Sequence, residues 1–242
     1  FFCRTLPTAL PPTTRRLCLK DLGFGKELTV VPGCEVTTPD VIHFNTYPME
    51  VRPGELGNGA INSAAEKASP LFSASRQKNP DAVLQVNHPR AGDLGYFNNL
   101  YLDQESAATA LPELDLSFDL LEVLNGPYFF SSNQSAIEDW FHLLNRGYFF
   151  PIVGSSDSHG IDRGEPGYSR TYVSLPDDRV KPLDAAILIA SGWPLYQIAA
   201  SPGGQNRKAA RSSGECVVGF FGSVPHQLPA NARSPSFSLS NR

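Results

Sequence analysis

The sequence has few cysteines and no long apolar run, and these absences exclude several classes of protein. Its four cysteines show no C-x-x-C spacing, which argues against a zinc ribbon or a disulfide framework. No apolar run approaches the roughly 20 residues that a membrane-spanning helix needs, so no membrane partner is expected. Cys34 lies beside Glu35 and can be interpreted as a ligand or nucleophile. A small buried strand residue is the favoured interpretation.

Basic residues are not in excess. The chain has 20 Lys and Arg against 24 Asp and Glu, a net charge of −4, so it has no basic surface that would attract nucleic acid. The hydrophobic fraction of 41% and the charged fraction of 18% are those of a globular protein. With 242 residues, the chain can form one large domain with a substantial core.

Three common catalytic and binding motifs are missing. No G-x-G-x-x-G follows a predicted strand, which argues against a dinucleotide-binding protein. No G-x-S-x-G elbow and no P-loop occurs, which is consistent with a water nucleophile.

The two ends of the chain lack the periodicity of a folded core. Residues 1–26 contain clustered Pro and Thr and are predicted to be irregular. Residues 201–242 are rich in Ser, Gly, Pro and Asn and are predicted to be a poorly ordered tail. The chain begins without Met and lacks the regions of a complete secretory signal. We therefore expect a processed chain or, preferably, a fragment, located in the cytoplasm or, if a signal was removed, in the periplasm or outside the cell.

Residues 27–200 alternate between strand-like and helix-like segments, with a loop and a short helix over 91–112. Runs rich in apolar residues predict strands at 28–36, 41–47, 82–86, 118–124, 149–154 and 171–175. Periodic apolar residues predict helices at 62–77, 132–146 and 183–190. This alternation predicts an α/β domain with a largely parallel sheet or barrel, in which functional residues gather at the carboxyl edge of the strands.

Acidic and histidine side chains occur at the predicted strand ends. Asp157 and His159 follow an apolar run, and in extended backbone positions i and i+2 point the same way, so the two can converge on one ion. His88 also follows a strand, and Glu35 lies near the end of another. With His43, these side chains offer the imidazole nitrogens and carboxylate oxygens that Zn²⁺, Mn²⁺ or Fe²⁺ accepts.

Each of these signals has a structural alternative when it is taken alone. An Asp-x-His pair is more often structural or capping than metal-binding. His43, on an apolar strand, can be a satisfied core histidine, and His88 can have a loop role before its proline. His142 lies inside a predicted amphipathic helix and His226 lies in the predicted tail, so neither is assigned to the site.

Four short motifs in a fixed order resemble the PHP (polymerase and histidinol phosphatase) superfamily. They are G-C-E-V-T-T at 33–38, H-F-N at 43–45, N-H-P-R at 87–90 and G-S-S-D-S-H at 154–159. Within the superfamily they are most similar to the CehA/McbA-type metallohydrolases. The resemblance covers residues 28–190, about two-thirds of the chain, and it is the joint order of the motifs that makes it specific.

The resemblance implies a distorted (β/α)7 barrel with two or three metal ions at the carboxyl edge of its strands. Glu35 would bridge two ions, and His43 and His88 would complete one of the sites. Asp157 and His159 would each serve a different ion, and together with Glu35 they would be the catalytic residues. Arg90 and Arg170 would contact the substrate's anionic group, although a surface or structural role is the favoured alternative for both.

The same resemblance implies a function, and it also shows which motifs of the family pattern are missing. It predicts hydrolysis of phosphoester, carbamate or other ester bonds of a small molecule by a metal-activated water. The family pattern opens with H-x-H and then an Asp-His pair, and residues 1–34 contain neither. We therefore expect a partial barrel, at most one well-occupied metal site and weak or absent turnover. The alternative is an inactive PHP-like fragment or a binding domain.

Overall fold

The protein is an α/β protein built on a mixed sheet. A computed structural model describes residues 32–64, 67–109, 111–127, 129–159, 167, 169–171 and 198–199. The strands are β1 (Cys34–Thr37), β2 (His43–Tyr47), β3 (Val83–Val86), β4 (Leu120–Asn125), β5 (Ile152–Ser155), β6 (Arg170–Thr171) and β7 (Ile198–Ala199). The helices are α1 (Ala68–Lys78), α2 (Tyr96–Asn99) and α3 (Ser132–Asn145), with 3-10 turns at Leu56–Gly59 and Gly92–Leu94.

The first five strands form one sheet in chain order. The β1–β2 and β2–β3 pairs are antiparallel, whereas β3–β4 and β4–β5 are parallel; β6 and β7 form a separate antiparallel pair. In the described residues the larger sheet is open and does not close into a barrel. The strands β1, β3, β4 and β5 therefore share one carboxyl edge, and β2 begins at that same edge.

The prediction of a largely parallel sheet is wrong for β2. The connection between Thr37 and His43 is a tight turn, and a parallel neighbour would need a crossover of about a dozen residues or more. The predicted helix 62–77 also starts later, at Ala68. A helix from residue 62 would have Pro70 in its interior, whereas a start at Ala68 leaves Pro70 in the first turn, where an N–H is not needed.

The remaining strands and helices lie close to their predicted positions where the structure describes them. Helix α3 matches the predicted 132–146 almost completely and ends before Gly147, which has φ 87°. The segments predicted at 1–26, 172–175, 183–190 and 201–242 lie outside the described residues. None of the helices in the described ranges is long and apolar enough to cross a membrane.

One face of the sheet packs against α1 and α3 to form the core. The ring of Phe44 on β2 meets that of Phe72 on α1 edge to face, with centroids 5.1 Å apart. Cys34 is buried on this face in β1, as the favoured interpretation predicted. The other central core residues are Val36, Leu71, Leu84, Val86, Leu121, Trp140 and Leu143.

The opposite face of the sheet is polar. Because side chains alternate along a strand, Glu35 lies on the face opposite to its apolar neighbours. Glu35 pairs with Asn45, and Asn45 pairs with Gln85 on β3, so the three residues form a row across the sheet. Glu122 on β4 continues this face. Glu35, His43 and Glu122 thus lie on one side of the sheet, near its carboxyl edge.

The turn before β2 depends on Thr38, which is 1% exposed. Its Oγ1 accepts hydrogen bonds from the backbone N–H groups of Ile42 (2.7 Å) and Val41 (3.2 Å) and donates to Ile42 O (2.8 Å). We expect Thr38→Val to lower the free energy of unfolding by about 1–3 kcal/mol, because buried backbone groups lose their partner. Urea unfolding measures this, with Thr38→Ser, which keeps the hydroxyl, as the control. Equal losses for both variants would contradict it.

Candidate metal centre

Glu35, His43 and His88 converge at the carboxyl edge of the sheet. Glu35 lies in β1, His43 is the first residue of β2, and His88 lies two residues beyond the end of β3. One potential ligand atom from each lies within 4.8 Å of the others. His43 Nδ1 is 3.7 Å from Glu35 Oε1, and the two imidazole centroids are 5.0 Å apart at 67°. This is a buried two-histidine, one-carboxylate cluster that can hold a metal ion.

The backbone around His88 fixes the position of its ring. Asn87 N donates to His43 O at 2.9 Å, which joins this segment to the start of β2. His88 itself has φ 28°, in the left-handed region that residues other than glycine rarely adopt. Its backbone N–H donates to Glu122 Oε2 at 2.6 Å. That bond ties the His88 segment to β4.

Two imidazole nitrogens of the cluster have no hydrogen-bond partner within the described part of the chain. Among the described residues, His43 Nε2 and His88 Nδ1 are buried without a hydrogen bond. Leaving a buried polar atom unpaired costs about 1–3 kcal/mol, and a cation coordinated at such a nitrogen would remove that cost. A set of two imidazoles and one carboxylate suits Zn²⁺, Mn²⁺ or Fe²⁺ better than Mg²⁺ or Ca²⁺. The residues therefore fit a metal ion.

His88 is held in the form that binds metals. Its burial, and then the nearby His43, lower the pKa of His88, while the charges of Asp157 and Glu35 oppose this shift. A lowered pKa keeps the imidazole neutral at pH 7. Because only neutral imidazole has a free lone pair for a cation, the environment of His88 favours coordination over protonation.

Asp157 and His159 lie beyond β5 and do not complete this cluster. Asp157 has φ 45°, so the expected extended backbone is not found there. The two side chains nevertheless approach one another, with His159 Nδ1 3.7 Å from Asp157 Oδ1 and 2.7 Å from Asp157 O. The His159 side chain is 48% exposed. The charge of Asp157 acts on both His88 and Glu122, which relates it to the cluster electrostatically.

The two predicted anion contacts have different surroundings. Arg90 donates to both carboxylate oxygens of the fully buried Asp139, at 2.6 and 2.7 Å. It also donates to Asn98 Oδ1 (3.2 Å) and Leu102 O (2.8 Å). These contacts favour the structural role for Arg90. Arg170 is exposed on β6, next to the end of β5.

Glu122 is a buried site residue that the sequence analysis missed. It is 1% exposed and accepts hydrogen bonds from His88 N, from Asn125 Nδ2 (3.2 Å) and from Ser155 Oγ. Burial raises its pKa to about 8, against the opposing effect of these three bonds. An acidic residue inside the apolar strand 118–124 was the available signal, because a buried carboxyl group requires partners.

Comparison of the chain with protein-family models, with curated proteins and with solved structures finds no match. The kind of site is therefore inferred from its geometry.

Proposed function

We propose that this protein is a metal-dependent hydrolase of phosphoester, carbamate or other ester bonds in a small molecule. The observation that carries the proposal is the convergence of Glu35, His43 and His88, where two buried imidazole nitrogens have no hydrogen-bond partner among the described residues. The order of the four PHP-like motifs supports it. Three of them supply or adjoin the residues of the cluster, and the fourth supplies Asp157 at the same edge of the sheet.

Glu35, His43 and His88 hold the ion in this proposal, with Zn²⁺, Mn²⁺ or Fe²⁺ as candidates. A divalent ion supplies Lewis acidity that lowers the pKa of water towards neutrality and offsets charge on the substrate oxygens. Asp157 and His159 extend the site towards solvent, where the Asp157 carboxylate can accept a proton from water. Arg170 contacts the anionic group of the substrate.

The proposal also extends the fold. We infer that β1 to β5 are part of a distorted (β/α)7 barrel of the PHP type. Three observations support this: β1, β3, β4 and β5 share a carboxyl edge, the candidate ligands lie at that edge, and helices α1 and α3 cover one face of the sheet. In barrels and open α/β sheets alike, functional groups collect at this edge.

Hydrolysis of an aryl phosphate with added Mn²⁺ or Zn²⁺ tests the proposal. We expect metal-dependent release of the phenol and a rate that is lower by roughly tenfold or more in Asp157→Ala, because the carboxylate whose charge acts on His88 is lost. His142→Ala, in α3 and outside the cluster, is the matched control and should keep the rate. Activity that is independent of metal, or unchanged in Asp157→Ala, would contradict the assignment.

A binding domain of PHP type without turnover is the second candidate. The observation that favours it is that the cluster of mutually close ligand atoms in the described residues has only three members. The ring of the exposed His159 lies against its own loop. Metal binding without metal-dependent hydrolysis in the same assay would identify this second function.

A further inference from the structure

A chain of hydrogen bonds crosses the polar face of the sheet and ends on the Glu35 carboxylate. Tyr47 Oη donates to Gln85 Oε1 at 3.1 Å. Gln85 Nε2 donates to Asn87 Oδ1 at 3.0 Å, and Asn87 Nδ2 donates to Glu35 Oε1 at 3.3 Å. Gln85 is 6% exposed and Asn87 is 5% exposed. The two central members are thus shielded from water that could replace these bonds.

The carboxylate at one end fixes the polarity of the whole chain. An ionised carboxylate can only accept hydrogen bonds, so Asn87 must present its NH₂ group to Glu35 and its oxygen to Gln85. Gln85 must then present its own NH₂ group to Asn87 and its oxygen to Tyr47. Burial raises the pKa of Tyr47, so its hydroxyl keeps the proton that the last bond requires. Only one arrangement satisfies all three bonds.

We propose that Tyr47, Gln85 and Asn87 are positioning residues that hold the Glu35 carboxylate in the orientation that binds the metal. This inference rests on the proposed metal centre. Asn87 donates to the same oxygen that lies 3.7 Å from His43 Nδ1, so the amide keeps that oxygen beside His43. Rotation of the carboxylate would break this bond, and rotation of the amide would break the bond to Gln85.

The order of the residues in the fold supports this role. Gln85 and Asn87 are two residues apart along β3 and its extension, so their side chains lie on one face. Tyr47 ends β2, beside Gln85 on the neighbouring strand and away from the carboxyl edge where the cluster lies. The oxygen of the Asn87 amide is therefore held by Gln85, and Gln85 in turn is held by Tyr47. Bonds of this kind orient metal ligands, and their loss typically weakens metal binding by about 10–100-fold.

The Zn²⁺ affinity of the whole protein tests the inference. We expect Gln85→Met, which keeps the volume and removes both bonds, to weaken Zn²⁺ binding by roughly tenfold or more in competition with a chromophoric chelator. Tyr47→Phe removes only the last bond and should weaken binding by roughly threefold to tenfold. The double variant should bind Zn²⁺ no more weakly than Gln85→Met, because both substitutions break the same chain of hydrogen bonds.

Asn45→Met is the matched control. Asn45 pairs in register with both Glu35 and Gln85, but it is not a member of the chain, so its substitution should leave Zn²⁺ affinity unchanged. Circular dichroism and thermal unfolding in chelator show whether each variant is folded. If Gln85→Met does not fold, Tyr47→Phe decides the question, because it retains the aromatic ring.

The outcomes separate this inference from the proposed function. If the unsubstituted protein binds no Zn²⁺, the proposed metal centre is overturned, and the positioning role of the hydrogen-bond chain is overturned with it. If the protein binds Zn²⁺ and the folded Gln85→Met and Tyr47→Phe variants bind it equally tightly, only the positioning role is overturned. Additive losses in the double variant, or an equal loss in Asn45→Met, would also overturn it, because either result indicates a general effect of the polar face.

Discussion

His88→Ala is expected to weaken Zn²⁺ binding by on the order of a hundredfold or more. Loss of a residue that only orients a ligand costs about 10–100-fold in affinity, and loss of a ligand itself should cost at least the upper end of that range. His43→Ala should have a similar effect, since each imidazole supplies one of the three ligand atoms. Isothermal titration with Zn²⁺ measures both the affinity and the stoichiometry, which should be one ion per chain.

The free energy of unfolding in the presence of a chelator shows whether His88 is a metal ligand or a structural histidine. His88 Nδ1 is buried without a partner among the described residues, so removal of the ring should relieve that unpaired atom and offset part of the lost packing. We expect the free energy of unfolding without metal to change by about 1 kcal/mol or less. A loss of several kcal/mol with unchanged Zn²⁺ affinity would assign His88 a structural role. His142→Ala, in helix α3, is the control and should retain Zn²⁺ binding.

The sequence could predict the members of the cluster but not how they meet. Glu35 and His88 were found because apolar runs that stop at polar residues mark strand ends, and this pattern is local. His43 begins its strand instead of ending it. It reaches the same edge only because β2 runs antiparallel to its neighbours, and strand direction is not encoded in the periodicity of a single segment. Helix α3 was predicted well because the 3.6-residue period is also local.

The residues that support the cluster could not be predicted from the sequence. Tyr47 lies 38 positions from Gln85, and His88 lies 34 positions from Glu122. Sheet register brings these residues together, and one residue of slip would move each side chain to the other face. The expected convergence of Asp157 and His159 assumed extended backbone. The structure brings them together through a left-handed residue instead.

Glu122 makes the stability of the protein depend on pH. Its pKa is raised from an ordinary value of 4.5 to about 8, chiefly by burial and also by the charge of Asp157. Below pH 4.5 the carboxyl group is protonated in both the folded and the unfolded chain, and its contribution to stability is complete. Between pH 4.5 and 8 the unfolded chain releases the proton and the folded chain keeps it. The free energy of unfolding should therefore fall as the pH rises through this window.

Glu122→Gln is expected to remove this dependence. The amide has nearly the same shape, carries no charge, and keeps an acceptor oxygen for His88 N and Asn125 Nδ2. In chelator, the variant should lose no stability from this source between pH 5 and 8. At pH 8 its free energy of unfolding should exceed that of the original protein by a few kcal/mol, since each unit of pKa shift corresponds to about 1.4 kcal/mol.

Urea unfolding in chelator at several values from pH 5 to 9 measures the difference between the two proteins. The lowered pKa of His88 has the opposite sign: it makes stability rise with pH up to about 6.5. Only the difference between the proteins isolates Glu122. Glu105→Gln, at an exposed acidic residue, is the control and should follow the original curve. If Glu122→Gln also follows that curve, the buried carboxyl group is ionised in the folded protein at the same pH as in the unfolded chain. The three donors would then stabilise its charge enough to cancel the effect of burial.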